Sequence, residues 1–245
     1  MRVCIGALIF LLLLTASPSL AALSVGVNTS IEVNTTTTGT TTGIATTTGS
    51  GLLVGIAWTN TASFTSLTDS VGNGAPIQIG AEQTVTGGKT RLYYWPNITG
   101  GASHTVTLTI TGSTQKSIFV QEIKATTGSG VTLDQNASGV DATTPFTSPS
   151  ITTTIANEML VAFDADDVSA ATTHTAGASF TLQTEQTSNA GWTGALGTQL
   201  VSATGTYNSS WTVSSTPIDT AQWIASFSEV GLCRGALLLM GVGGC

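Results

Sequence analysis

Acidic residues are scarce in this 245-residue chain, so any place where they gather stands out. Asp164, Asp166 and Asp167 form the densest group, in DADD directly after the apolar run MLVAF. Alternation along a strand sends Asp164 and Asp166 to one side, where two carboxylates could share a hard cation such as Ca²⁺. Asp69 and Asn73, in DSVGN, make a second oxygen-rich pair around a glycine, to which backbone carbonyls could add. Neither spacing is that of an EF-hand loop, which ends on a Glu. Each has a plainer alternative. DADD can be a solvated loop, and DSVGN a turn whose Asp accepts backbone N–H groups while Gly or Asn takes the left-handed conformation. For SLTDSVGNGAPIQI (66–79) the turn is the favoured reading, with Asp69 and Asn73 fixing its shape.

Hydrolytic chemistry finds little support. Thr68-Asp69-Ser70-Val71 resembles the Gly-Asp-Ser-Leu block of SGNH esterases only superficially, because Gly72 to Pro76 forbid the helix that should follow. Asp219 lacks the His expected three residues on, and no G-x-S-x-G occurs. His104 and His174, the only histidines, have no triad context in the sequence. A jelly-roll glycosidase would use Glu158, in NEMLV, with Glu122 as its strand partner. Retaining hydrolysis needs those two carboxylates about 5 Å apart in one cleft. Aromatic rings could instead stack on sugars. Tyr94 and Trp95, and Trp192 between glycines, are the candidate contacts to a polysaccharide or cell-surface glycan; core packing is their alternative fate.

Composition sets limits on partners and compartment. Charged residues make up 8 % of the chain, against about 25 % in ordinary domains. Net charge is −7, and Lys89, Arg91, Lys116, Lys124 and Arg234 are scattered. Without a basic patch to displace counterions, nucleic acid is excluded as a partner. Arg2, the apolar run IGALIFLLLL and Pro18 before small residues predict a cleaved signal peptide over 1–21. Membrane contact would then be limited to the removed leader, and the mature protein would be secreted or displayed at the cell surface. Cys233 and Cys245 could pair, stay free or bridge to another chain. Asn28, Asn34, Asn97, Asn136 and Asn208 head sequons that a eukaryotic secretory route could glycosylate. The apolar tail 233–245 is too short to span a bilayer.

The elements that must position these residues read as strands. HTVTLTI (104–110) alternates Val106, Leu108 and Ile110 with Thr, the pattern of a half-buried antiparallel strand. LLVGIAW (52–58) is apolar on both faces, and MLVAF (159–163) and QWIASF (222–227) have the density of central strands. TRLYYWPNI (90–98) ends its ladder at Pro96. SIFVQEI, SFTLQTE and TYNSSWTV add further strands, the last with Tyr207 and Trp211 facing one way. Turn signals such as GNGAP and NITGG punctuate them, and no segment after the leader has helical spacing. The Thr-rich tract 34–51 reads as an exposed outer strand and loop. A single antiparallel two-sheet β-sandwich over 22–232 is therefore expected.

The order LLVGIAW, DSVGN, YYWPNITGG, HTVTLTI, VQEIKA, LDQNASGVD, TTTIANEMLVAF, WIASF resembles the jelly-roll-like β-sandwich modules of exported bacterial surface proteins and some phage structural proteins. The resemblance covers roughly residues 24–230. It implies a jelly-roll-like, concanavalin-like topology and a non-catalytic role in adhesion or carbohydrate binding. Structural assembly of an envelope or virion is the alternative role, and the Glu122–Glu158 glycosidase a further one.

Overall fold

A computed structural model describes residues 23–168, 171–177, 179–187, 191–215 and 217–230. The expected leader, and the tail with Cys233 and Cys245, lie outside the described residues. Every regular element among them is a β-strand. In chain order these are β1 (Ser24–Thr40), β2 (Gly51–Thr59), β3 (Phe64–Asp69), β4 (Ile77–Val85), β5 (Gly88–Trp95), β6 (Val106–Lys124), β7 (Val131–Asp141) and β8 (Phe146–Thr147). The second half adds β9 (Ile151–Thr152), β10 (Glu158–Val168), β11 (His174–Ala176), β12 (Thr181–Gln186), β13 (Gly191–Val201), β14 (Thr206–Tyr207), β15 (Ser210–Val213) and β16 (Thr220–Glu229).

Two antiparallel sheets form the predicted sandwich. The first runs β1-β6-β2-β5-β4, with β3 joined to β6, and the second runs β12-β13-β10-β16-β7. Leu53, Tyr94, Phe119, Phe163, Trp223 and Phe227 are among the residues that close the space between them. In most antiparallel sandwiches the outer faces meet water. Here both are covered. Leu52, Val54, Ile56 and Trp58 on the outer face of the first sheet pack against Leu67, Val106, Leu108 and Ile110. Leu160, Ala162 and Ile224 on the outer face of the second pack under Phe180 and Trp211, which belong to the covering segment with its small sheets β11-β15-β8 and β14-β9. That double covering is why LLVGIAW and WIASF carry apolar residues at successive positions instead of alternating them.

β6 supplies one of the two covers by serving two layers. HTVTLTI and SIFVQEI, which the sequence suggests as separate strands, are one continuous element that passes through Gly112 at φ +88°. Its early half pairs with β3, and its late half with β2. β1 follows the same path beside it, with Thr35 at φ +58° and register shifts around Thr36. The buried Lys116 ammonium fastens this bend, donating to the Thr36 carbonyl at 2.5 Å and the Thr114 carbonyl at 2.9 Å. Loss of water lowers its pKa. The Thr-rich tract is exposed edge strand as far as Thr40 and loop beyond it.

TYNSSWTV departs from the expected single strand. Ser148 and Ser209 exchange hydrogen bonds between its two halves, the Ser148 N–H to the Ser209 carbonyl and the Ser209 N–H to the Ser148 Oγ. β14 therefore pairs with β9 while β15 pairs with β8 and β11. Tyr207 and Trp211 nevertheless pack into the same covering core.

Candidate functional site

The DSVGN segment is a closed turn. Asp69 Oδ1 accepts the Asn73 N–H at 2.9 Å, and Oδ2 accepts from Asn73 Nδ2 at 2.7 Å and from the Val71 N–H at 3.3 Å. Gly72 takes φ +86°, which a side chain would resist. Asn73 Oδ1 accepts the Thr99 N–H at 2.7 Å, tying the turn to the loop after β5. His104 Nε2 stands 2.8 Å from Asp69 Oδ2, and its Nδ1 is 2.9 Å from Thr46 Oγ1. This is the turn that the sequence favours over a cation site, with Asp69 and Asn73 fixing its shape and their side-chain oxygens accepting from N–H donors. The Asp69–His104–Thr46 chain has the composition of a catalytic triad, an arrangement that no spacing along the chain signals. Its setting is that of a clasp. The Gly100 and Gly101 N–H groups beside it, which an oxyanion would need, donate to the hydroxyls of Thr48 and Thr46.

The aromatic candidates are interior residues. Tyr94 lies between the sheets, edge-on to Phe227 with ring centroids 5.4 Å apart. Trp192 also lies there, fully buried, its ring pressed on the backbone at Gly88 where any Cβ would collide. Trp95 packs in the outer core of the first sheet and donates its Nε1–H to the Gly74 carbonyl at 2.9 Å. None of the three offers a face to a sugar. For Tyr94 and Trp95 the reason is that β5 is covered on both sides, so alternation divides its rings between two cores, while Trp192 points from β13 into the space between the sheets.

A different aromatic surface borders the turn. A groove of about 620 Å³ is lined by Phe64, Leu67, Pro76 and Tyr93, with Ser66, Thr68 and the turn backbone completing it. Phe64 is half-buried and stacks on Tyr93, centroids 5.6 Å apart at 19°. The Arg91 guanidinium lies 4.6 Å from the Phe64 ring centre and donates to Tyr93 Oη at 2.9 Å and to Glu82 Oε2 at 2.9 Å. Asp69 is the one carboxylate in the lining, and it is spent on the turn.

Glu122 and Glu158 do not share a cleft. Glu122 pairs across from Leu52, which faces outward from the first sheet, and Glu158 pairs across from Val201, which faces outward from the second. The whole sandwich separates them, about 10 Å of sheet spacing alone. Glu122 is occupied in its place, accepting the Thr47 N–H at 2.6 Å and the Val27 N–H at 3.2 Å.

The acidic cluster after MLVAF is where the structure adds most. Asp164 and Asp166 do share a face, as alternation predicts, and it is the outer face of the second sheet beneath β11. Both are fully buried. Asp164 Oδ1 accepts from Gln222 Nε2 on β16, and Asp166 Oδ1 accepts from Thr193 Oγ1 on β13. Their Oδ2 atoms have no hydrogen-bond partner and face His174 of the covering layer, whose Nε2 is 3.6 Å from Asp164 Oδ2 and 3.4 Å from Asp166 Oδ2. His174 Nδ1 lies 3.7 Å from Glu185 Oε2, which also accepts the His174 N–H at 3.0 Å. Burial drives the Asp164 carboxyl well above the usual range, with His174 opposing that shift and Asp166 adding to it. Burial lowers the imidazole, but the three surrounding carboxylates outweigh it and hold His174 above its ordinary value. The Asp167 side chain lies outside what is described. His174 is the member of this cluster that the sequence did not bring to the two carboxylates. The usable signal was its place only a short loop downstream of DADD, as one of two histidines in the chain.

No family model, curated protein or solved structure matches the chain.

Proposed function

We propose that this protein is a non-catalytic, exported surface module that contacts carbohydrate in the groove beside the Asp69–Pro76 turn. The observation supporting this reading is the lining of that groove. Phe64, Tyr93 and Pro76 give an apolar floor, and Ser66, Thr68 and the turn backbone give hydroxyl, N–H and carbonyl groups at its margin. Sugar rings present C–H faces with hydroxyls at the edge, so they call for that combination. No free carboxylate stands in the lining to act as acid or base, which favours binding over hydrolysis. Export rests on the leader-like N-terminal pattern.

Glycan-array binding followed by calorimetry on the hit tests the proposal. Phe64→Ala should weaken binding at least tenfold while leaving the melting temperature within a few degrees. Absence of any glycan hit, together with concentration-dependent oligomers in sizing chromatography, would replace this reading with the assembly role. Release of reducing ends from a β-glucan would replace it with an enzymatic one.

A further inference from the structure

We propose that Asp164, Asp166 and His174 form a buried, structural binding site for one divalent transition ion of the zinc class. Their ligand atoms all lie within 4.8 Å of one another. The two imidazole–carboxylate separations, 3.4 and 3.6 Å, exceed a good hydrogen bond. They are close to the edge of a coordination tetrahedron, since ligands about 2.0–2.1 Å from a zinc ion stand roughly 3.4 Å from each other.

The surroundings are arranged for the same purpose. Gln222 and Thr193 hold the two Oδ1 atoms, so each carboxylate presents one oxygen, Oδ2, toward the imidazole. Glu185 lies beside the far imidazole nitrogen, the position from which a carboxylate orients a metal-bound histidine. Four buried side-chain atoms, Asp164 Oδ2, Asp166 Oδ2 and both His174 nitrogens, are without hydrogen-bond partners. Unpaired carboxylates out of water are costly. No Lys or Arg occurs between Lys124 and Arg234, so this half of the chain has no permanent cation to pair with them. A bound dication neutralises the two carboxylates and satisfies three of those four atoms at once.

The donor set also separates the ions. Calcium takes six to eight oxygens at about 2.3–2.6 Å, whereas this site offers two oxygens and one imidazole nitrogen. Imidazole with carboxylate suits the borderline transition ions. The expectation of Ca²⁺ at Asp164 and Asp166 is therefore replaced by a zinc-class ion with His174 as third ligand. Because the cluster lies under the cover, the ion's role is to pin β11 onto β10, and its binding energy adds to stability.

The test uses the mature chain without a polyhistidine tag, freed of metal by a chelator and titrated with Zn²⁺, Ca²⁺ or Co²⁺ alone. Zn²⁺ should bind at one per chain and raise the melting temperature by about 5–10 °C at a hundredfold excess over its Kd. Co²⁺ should give visible absorption bands distinct from those of the aqueous ion, and Ca²⁺ should have no effect. His174→Gln should abolish both signals. Asp166→Asn should abolish them too, while raising the melting temperature of the metal-free protein because one buried charge is gone. That opposite effect keeps loss of the site distinct from loss of the fold. The proposal fails if Zn²⁺ leaves the melting temperature of the wild type unchanged, or if His174→Gln still takes up one Zn²⁺ with the same shift.

Discussion

Glu158 lies fully buried, and its carboxyl is pushed up to about 7, first by loss of water and then by the negative charge of Asp134. An acid raised in this way takes up its proton more readily in the folded state than in the unfolded chain. Its contribution to stability is complete below about pH 4.5 and is lost as the pH climbs through about 7. Glu158→Gln, which resembles the neutral form, should flatten the loss of stability across that window and melt about 2–6 °C higher than wild type at pH 8. Thermal melts at half-unit pH intervals would check this; parallel profiles for the two proteins would contradict it. Glu229 behaves in the opposite sense. Burial raises it, but donors from Thr126 and Thr127 outweigh burial and leave it below its ordinary value. Its contribution is present above about pH 4.5 and disappears on acidification. The Asp164–Asp166 pairing was legible because alternation is a local rule. His174 was not, because it meets them from another layer, by a fold-level contact that no short-range spacing encodes.

At the level of strands, β5 is packed so tightly that Gly88 admits no side chain. A methyl group there would enter the Trp192 ring. Gly88→Ala should cost about 1–3 kcal/mol by overpacking, read as a lower urea midpoint, whereas Gly72→Ala should strain only its turn, where nothing lies near the added carbon. Equal midpoints for Gly88→Ala and wild type would show that β5 and β13 are looser than described. Strand identity was largely legible here. HTVTLTI alternates cleanly, and the apolar density of MLVAF and QWIASF correctly marks them as central. What covers the outer faces of the two sheets was not legible, because it depends on β6 bending at Gly112 and on Ser148 and Ser209 dividing TYNSSWTV. The same blindness misplaced Trp95, which lies under the cover of the first sheet, whereas Tyr94 and Trp192 lie between the sheets. A ring next to an alternating neighbour looks half-exposed until a second covering layer is known.

Across the whole molecule, three apolar layers are stacked through shared strands, and tryptophans report on each. Trp58 and Trp95 sit in the outer core of the first sheet, Trp192 and Trp223 between the sheets, and Trp211 under the second cover. β6 belongs to two layers and β10 and β16 border two, which couples each layer to its neighbour. Urea unfolding followed by tryptophan fluorescence and by far-ultraviolet circular dichroism should therefore give coincident single transitions. Separate midpoints would mean that the covers detach first. The second sheet and its cover contain no Lys or Arg, and this has an effect beyond electrostatics. Peptidases that cleave after Lys or Arg find no bond to cut from Ala125 through Cys233, whether that segment is folded or not. Nearly half the polypeptide is spared such enzymes by its covalent sequence before its folding adds any protection.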